Sequence, residues 1–247
     1  MSDNQLIGLA TDFFQNSLDT SPTSAIMRGH KQYFDQIEQL TEDQFEREEE
    51  IVDSFIKRLN AIDQNQLTNR EKVTHGMLEF ALNSNKDSLL DRNWEFGAGV
   101  SGFTGFLIDY NQQMFIPDSE SADMMLKRLE LYKRLYTQIA EVQKVGLNNN
   151  RVATERNLLR TIDQLENYLA SSLDQDPLLL VNFSPKISDT EISEWKDKAI
   201  NIIESNIRPT VSAYLDQLKT EHLPKGRGDD KCGIMWIDGG EESYLRS

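Results

Sequence analysis

The chain has 247 residues, of which 41 are acidic and 26 are basic, so its formal net charge at pH 7 is −15. This balance argues against binding to duplex nucleic acid, because that affinity comes from lysine and arginine side chains that neutralise phosphates. It argues equally against docking on an anionic membrane surface. The single cysteine, Cys232, excludes an intramolecular disulfide and any multi-cysteine zinc or iron–sulfur site. The length and a hydrophobic content of 38% predict a folded globular protein.

No apolar run approaches the roughly 20 residues that a bilayer span requires; the longest are Leu178–Val181 and Phe106–Ile108. The N-terminal residues lack a basic leader, a continuous apolar stretch and a small-residue cleavage site. We therefore expect no membrane span and, for the chain as written, a cytoplasmic location. If a leader was removed, we expect the cell envelope or secretion instead.

Apolar residues recur at helical spacing along most of the chain, which predicts helices rather than strands. The N-terminal stripe consists of Leu6, Leu9, Phe13 and Phe14. Serine or threonine followed three residues later by Glu or Gln marks three further helix starts by the capping-box pattern. The pairs are Thr41 with Gln44, Thr68 with Glu71, and Ser188 with Glu191. The apolar positions that follow are Phe45, Val52, Phe55, Ile56, Leu59 and Ile62 in the first, Val73, Met77, Phe80 and Ala81 in the second, and Trp195, Ala199, Ile202 and Ile203 in the third.

Between these lie two more predicted helices. One carries Met125, Leu129, Tyr132, Leu135, Tyr136, Ile139 and Val142. We expect it to stop at Gly146, because glycine adopts the left-handed conformation that terminates helices. The other runs from about Arg151 to Leu169. In the last long helix, Pro209 lacks an N–H and is expected to kink or split it.

Two glycine-rich segments break the helical pattern, Trp94–Gly105 and Leu223–Tyr244. Within the second, Ile234–Ile237 predicts a short strand that enters a glycine turn. Five to seven helices with short connections predict an all-α, bundle-like fold in a single domain over residues 1–247, with a long connection over residues 173–187.

The three histidines, His30, His75 and His222, are too far apart in sequence for the pair one helical turn apart that many catalytic zinc sites use. The sequence has no Gly-x-Ser-x-Gly motif and no phosphate-binding loop, and Cys232 has no neighbouring histidine. We therefore expect no catalytic residue, no metal ligand and no cofactor in this chain itself.

Gly239 and Gly240, followed by Glu241 and Tyr244, are the candidate substrate-binding residues. Glycine lets backbone approach a ligand closely, and a tyrosine hydroxyl can donate a hydrogen bond. The same pattern fits a tight turn that only redirects the chain, so both interpretations stay open.

The order of these landmarks resembles the N-terminal part of the bacterial family called domain of unknown function 885. The landmarks are Ser21–Pro22 with Ala25 and Gly29, the glycine–aromatic stretch before Gln112–Gln113, the Tyr132–Gly146 helix, Ile207–Pro209, Glu221–Pro224 and Gly233–Leu245. Members of the family look like helical zinc peptidases, and many are lipoproteins. Their HExxH zinc helix and a further glutamate ligand come later in the chain. This sequence departs from the family with Asp238 where a proline is common and Ser243 where a second aromatic is common.

The resemblance implies the non-catalytic N-terminal scaffold of a zinc metallopeptidase-like hydrolase, inactive alone and without zinc of its own. It implies that Gly239, Gly240, Glu241 and Tyr244 line the substrate cleft of a complete enzyme, with the missing C-terminal catalytic half or a peptide-like ligand as partner. The alternative is a self-standing acidic helical module that binds a protein or peptide near Trp94–Gly105. A large exposed apolar patch would favour the scaffold, whereas small patches and an ordered C-terminal tail would favour the module.

Overall fold

A computed structural model describes residues 2–97 and 110–246. The all-α class predicted from the sequence is confirmed, because regular structure in these residues is almost entirely helical. The α-helices are α1 (Ser2–Thr20), α2 (Pro22–Met27), α3 (Glu42–Asn60), α4 (Asn69–Asp91), α5 (Ser119–Asn148), α6 (Glu155–Ala170), α7 (Asp189–Ile202), α8 (Arg208–Gln217) and α9 (Gly240–Arg246). Two short strands, β1 (Phe115–Ile116) and β2 (Asn182–Phe183), pair in parallel. None of the described helices combines the length and apolar character that a membrane-spanning helix needs.

The chain divides into two compact units, and the single domain expected over residues 1–247 stays a prediction. The first unit comprises Met1–Thr20, Leu40–Asn93 and Ile234–Ser247, and so contains α1, α3, α4 and α9. The second comprises Ser21–Gln39 and Trp94–Gly233, and so contains α2, α5 to α8 and both strands.

The core of the first unit lies between α1, α3 and α4, whose apolar stripes meet at helical spacing. The predicted start of α3 is confirmed, since the Thr41 side chain accepts a hydrogen bond from the Gln44 N–H. The predicted capping box of α4 is also present in full between Thr68 and Glu71. The buried residues of this core are Leu6, Leu9, Val52, Phe55, Leu59, Ile62, Leu67, Leu78 and Leu82.

Helix α4 buries a different face from the apolar stripe that its sequence suggests. Val73, Met77 and Phe80 are 62%, 68% and 77% exposed, and these three residues are called here the outer face of α4. The buried positions on this helix are instead His75, Leu78, Leu82 and, at its C-terminal end, Asp91. Apolar residues thus lie on two sides of α4, and periodicity alone could not decide which side packs against α3.

The core of the second unit is built around α5, which contacts α7 and α8. Its predicted apolar face is confirmed, since every one of those positions is buried; they are Met125, Leu129, Tyr132, Leu135, Tyr136, Ile139 and Val142. Trp195 of α7 is buried as expected and donates from its indole nitrogen to the Ala122 carbonyl at 2.9 Å.

Gly146 does not end α5, which was the expectation from its residue type. The helix continues to Asn148, and the left-handed residue is Asn150, with φ of 54°. A glycine is needed at position 146 because the backbone of Glu95 crosses the helix there. A Cβ on Gly146 would lie 2.4 Å from the Glu95 carbonyl oxygen. Gly146 is therefore required for close packing against Glu95 and does not mark the end of the helix.

The last long α-helix is split just ahead of Pro209, in agreement with the predicted kink or split. The chain runs from α7 through a π-helical turn, Ile203–Ile207, directly into α8, where Pro209 occupies the first turn. A second π-helical turn, Leu218–His222, precedes Pro224. Because a π turn widens the backbone ahead of the proline, it relieves the clash of the pyrrolidine ring with the carbonyl of the preceding turn.

The start of α7 follows the predicted capping box, and this box has an electrostatic consequence. Glu191 accepts hydrogen bonds from the Ser188 hydroxyl at 2.7 Å, the Ser188 N–H at 2.9 Å and the Ser119 hydroxyl at 2.8 Å. These bonds, the Ser188 hydroxyl first, lower the pKa of Glu191 to about 2 from its usual 4.5.

A folded-state pKa below the unfolded value means that this carboxylate stabilises the fold above about pH 4.5, and that the contribution is lost as the pH falls through about 2. We expect a carboxyl carbon NMR titration of Glu191 to have its midpoint near pH 2. Ser188→Ala should move the midpoint upward, because it removes the strongest donor. A wild-type midpoint near the usual value of 4.5 would contradict the capping geometry.

Candidate functional site

The segment Ile234–Ile237 is not the predicted strand. Residues Ile234–Trp236 form a 3₁₀ turn, closed by the Ile237 N–H donating to the Ile234 carbonyl at 3.0 Å. The glycine turn itself is present, with Gly239 at a φ of 71°, and it leads straight into α9. A strand would need a neighbouring strand for its backbone groups, whereas the 3₁₀ turn satisfies them locally.

Gly240 is the most tightly packed of the predicted site residues. A Cβ at this position would lie 1.8 Å from the Ile234 carbonyl oxygen, and the glycine is itself buried. The backbone that approaches Gly240 closely is therefore the chain's own turn. The expected role of Gly239 and Gly240 in approaching a substrate stays a prediction beside this structural role.

The other two predicted site residues lie on α9 and point to solvent. Glu241 is exposed, and Tyr244 is 70% exposed. Helix α9 packs against α4, and Arg246 donates two hydrogen bonds to a single Asp91 carboxylate oxygen, at 2.6 and 3.0 Å. The turn thus places Gly239 to Tyr244 together on one short, ordered element, with the Tyr244 ring accessible.

The three histidines have separate environments that do not fit a zinc site. Both ring nitrogens of the buried His222 face backbone carbonyls, of Gln217 and Gln143, at 3.3 Å each. His75 is buried on α4, with no hydrogen-bond partner for its Nε2 among the described residues. His30 precedes a 3₁₀ turn in the second unit. Within residues 2–97 and 110–246, no three His, Cys, Asp or Glu side chains are grouped to hold a metal ion.

Two further features considered in the sequence analysis are Cys232 and the segment Trp94–Gly105. Cys232 is a free, exposed thiol. Of the glycine–aromatic segment Trp94–Gly105, the residues from 98 onward lie outside the described residues. Glu95, in its described part, is buried and forms a 2.6 Å ion pair with Arg151.

The second unit contains an apolar groove of about 230 Å³ beside β1, which the sequence analysis does not predict. One wall comes from α2 and the turn after it, and the other from β1 and the residues around it. Arg128 of α5, fully buried, fixes the first wall by donating to the Thr23 hydroxyl at 2.5 Å and to the Gln36 carbonyl. The lining residues are Ile26, Met27, Gly29, Lys31, Phe34, Gln113, Met114, Phe115 and Pro117. Only the positive φ of Gly29, 89°, has a sequence signal, since glycine favours such turns.

Fold and site together define an all-α helical protein with an ordered C-terminal glycine turn. The chain belongs to the family described as bacterial protein of unknown function (DUF885), whose model matches residues 22–247. The predicted family resemblance is thereby confirmed. No curated protein gives a significant sequence match.

Among solved structures, the chain is similar to one described as the putative lipoprotein from Colwellia psychrerythraea. The TM-score is 0.83 at 17% sequence identity, and the match covers 99% of this chain and 45% of the other. The likeness establishes a shared fold. This chain spans less than half the length of that relative.

Proposed function

We propose that the chain is the N-terminal helical scaffold half of a zinc metallopeptidase-like hydrolase, inactive without the catalytic half. The hydrolase class follows from the family resemblance. Its role as one half of a larger protein is supported by the relative of the same fold, of which it covers 45%. The observation that carries the proposal is the outer face of α4.

The outer face of α4 consists of apolar side chains, as a buried surface does, although these side chains are exposed to solvent. Val73, Met77 and Phe80 are more than 60% exposed and follow one another at the i, i+4, i+7 spacing of a single helical stripe. A helix that is apolar on two sides is normally covered on both, because exposed apolar stripes mark interaction surfaces. We infer that the missing half covers this face.

In the chain alone, replacing the outer face with polar residues should not disturb the fold. We expect the triple variant Val73→Thr, Met77→Gln, Phe80→Ser to change the free energy of unfolding by no more than about 0.5 kcal/mol per site. Fluorescence of an apolar dye bound to the protein should fall several-fold, since the dye's binding surface is removed. Urea unfolding and dye titration measure the two quantities.

The matched control lies on the opposite side of the same helix. Leu82→Ala, at a fully buried position, should destabilise the chain by about 2–5 kcal/mol. If the triple variant is destabilised as much as Leu82→Ala, the outer face is part of the core and no longer supports the proposal.

Metal analysis and a peptidase assay test the proposal that zinc and hydrolytic activity require the catalytic half. The isolated chain is expected to hold no stoichiometric zinc and to hydrolyse no peptide. A longer product, if the coding region continues past codon 247 into an HExxH segment, should do both. Stoichiometric zinc in the isolated chain, or peptide hydrolysis by it that a chelator blocks, would overturn the proposal.

In a complete enzyme, Gly239, Gly240, Glu241 and Tyr244 are proposed to line the substrate cleft. The support is that Tyr244 is solvent-accessible on an ordered turn, where its hydroxyl can donate to a substrate carbonyl oxygen. A cytoplasmic location for the chain as written, or an envelope location behind a leader, likewise stays a prediction.

One observation favours the alternative, a self-standing acidic module that binds a protein or peptide. The C-terminal tail is ordered within the first unit, since α9 packs on α4 and Arg246 pairs with Asp91 at 2.6 Å. The DNA sequence beyond codon 247 distinguishes the scaffold hypothesis from the module hypothesis. An HExxH segment in frame supports the scaffold, and its absence in all three frames supports the module.

A further inference from the structure

In the part of the chain that the structure describes, β1 pairs with β2 along one edge and has no partner strand along the other. The Asn182 N–H donates to the Met114 carbonyl at 3.0 Å, and the Ser184 N–H donates to the Ile116 carbonyl at 2.9 Å. Because backbone groups of successive strand residues point to opposite sides, the N–H and C=O of Phe115 point away from β2. Among the described residues no hydrogen bond reaches either group.

The groove of about 230 Å³ borders β1 and not β2. Gln113, Met114, Phe115 and Pro117 line it, whereas neither β2 residue is among its described lining residues. Two of its apolar side chains are open to solvent, Met27 at 41% and Phe115 at 55% exposure. Gly29 leaves room as well, since a Cβ there would have nothing within 4 Å. Strand β1, with one edge unpaired among the described residues, therefore borders a cavity large enough for an apolar side chain.

The charged residue among the groove's described lining residues is a cation, Lys31, although the chain carries a net charge of −15. Its ammonium lies 3.6 Å from Asp118, and both side chains are largely exposed, at 60% and 43%. Since such exposed pairs contribute at most about 1 kcal/mol, Lys31 is available to a carboxylate that docks beside it.

We propose that this groove binds an extended peptide segment that pairs with β1 through Phe115, places an apolar side chain in the cavity and presents a carboxylate to Lys31. Backbone hydrogen bonds supply affinity in this mode, and the side-chain pocket supplies specificity. None of the groove's described lining residues belongs to the α9 turn. The site does not depend on the scaffold function, because it involves neither zinc nor the missing half.

The test uses a defined peptide and the full chain. The probe is an acetylated pentapeptide with the sequence Leu-Thr-Leu-Thr-Leu and a free C-terminal carboxylate. Its binding is measured by NMR titration of the protein's amide signals. We expect saturable binding with a dissociation constant of about 1 mM or tighter, equivalent to about −4 kcal/mol. Shifts should concentrate in residues 26–34 and 113–117, and the Phe115 amide should gain protection from hydrogen exchange.

Two altered peptides separate the contacts. N-methylation of the central leucine removes the backbone donor and should weaken binding about tenfold, in line with the loss of one hydrogen bond and its geometry. Amidation of the C-terminus removes the carboxylate and should weaken binding about threefold to fivefold. In the Lys31→Ala variant, the acid and amide peptides should bind equally.

The matched control is Lys144→Ala, which removes another exposed lysine of the second unit, itself paired with Glu221 at 3.0 Å. It should leave the preference for the acid peptide unchanged. The proposal is overturned if no saturable binding occurs, if the N-methylated peptide binds as well as the parent, or if the shifts map outside the groove. None of these results bears on zinc content, so failure here leaves the scaffold proposal to its own test.

Discussion

Arg208→Ala is expected to destabilise the second unit by about 3–5 kcal/mol, because it leaves the carboxylate of Asp176 buried without its charge partner. Asp176 is fully buried, and Arg208 donates to one of its oxygens from Nη2 at 3.0 Å and Nε at 3.2 Å. The same guanidinium donates to the Ser171 carbonyl at 2.8 Å and lies over the Tyr168 ring, 5.4 Å from its centroid. Urea unfolding of the variant measures the loss.

A surface pair of the same residue types provides the control. Arg156 and Asp229 approach to 2.6 Å, yet their side chains are 61% and 68% exposed. Arg156→Ala should therefore change stability by no more than about 1 kcal/mol, since exposed ion pairs contribute little. The double variant Arg208→Ala, Asp176→Asn should lose less than the sum of its single variants, because the second change removes the stranded charge. Equal losses from the buried and the exposed arginine would refute this account of Asp176.

The second large effect is expected at Gly240. Gly240→Ala should destabilise the first unit by about 1–3 kcal/mol or more, because its Cβ would collide with the backbone of Ile234, which cannot move like a side chain. Relief of that clash requires α9 to leave the turn. We therefore expect amides of α9 to lose hydrogen-exchange protection and the Arg246–Asp91 pair to break.

Alanine substitutions at two other glycines of the first unit provide the comparison for Gly240→Ala. Gly239→Ala should cost about 1–2 kcal/mol, the penalty for a side chain in the left-handed region. Gly76, inside α4, has nothing within 4 Å of its would-be Cβ, so Gly76→Ala should stabilise the chain by up to about 1 kcal/mol. If Gly240→Ala is as harmless as Gly76→Ala, the turn is not the packed element described and its glycine is free to serve a ligand.

Features encoded within a few residues were predictable from the sequence. The capping boxes at Thr68 and Ser188 formed because both partners lie three residues apart on one turn. The buried face of α5 followed from its periodicity. The family resemblance likewise rested on the order of local landmarks.

Features that depend on distant partners were not predictable. The residue type of Gly146 predicts a helix end, because nothing in the neighbouring sequence reveals that Glu95, 51 positions earlier, packs across it. The two-residue strands pair over 67 positions and carry no periodic signal of their own. At the candidate site, the glycines were recognised, but the carbonyl of Ile234 that occupies the space above Gly240 was not. The pairing of Asp176 with Arg208 was equally invisible.

The π-helical turn Ile203–Ile207 also determines which side of α7 and α8 the buried residues lie on. Trp195, Ala199, Ile203, Ile207 and Val211 are all buried and follow one another at intervals of four. In a regular α-helix each such step advances by about 40° around the axis, so four steps would carry the stripe to the far side. The extra residue in the widened turn unwinds that drift and keeps the stripe aimed at α5. Deleting one residue of Ile203–Ile207 would therefore return this turn to regular α-helical winding, with Val211 still on the side that faces α5.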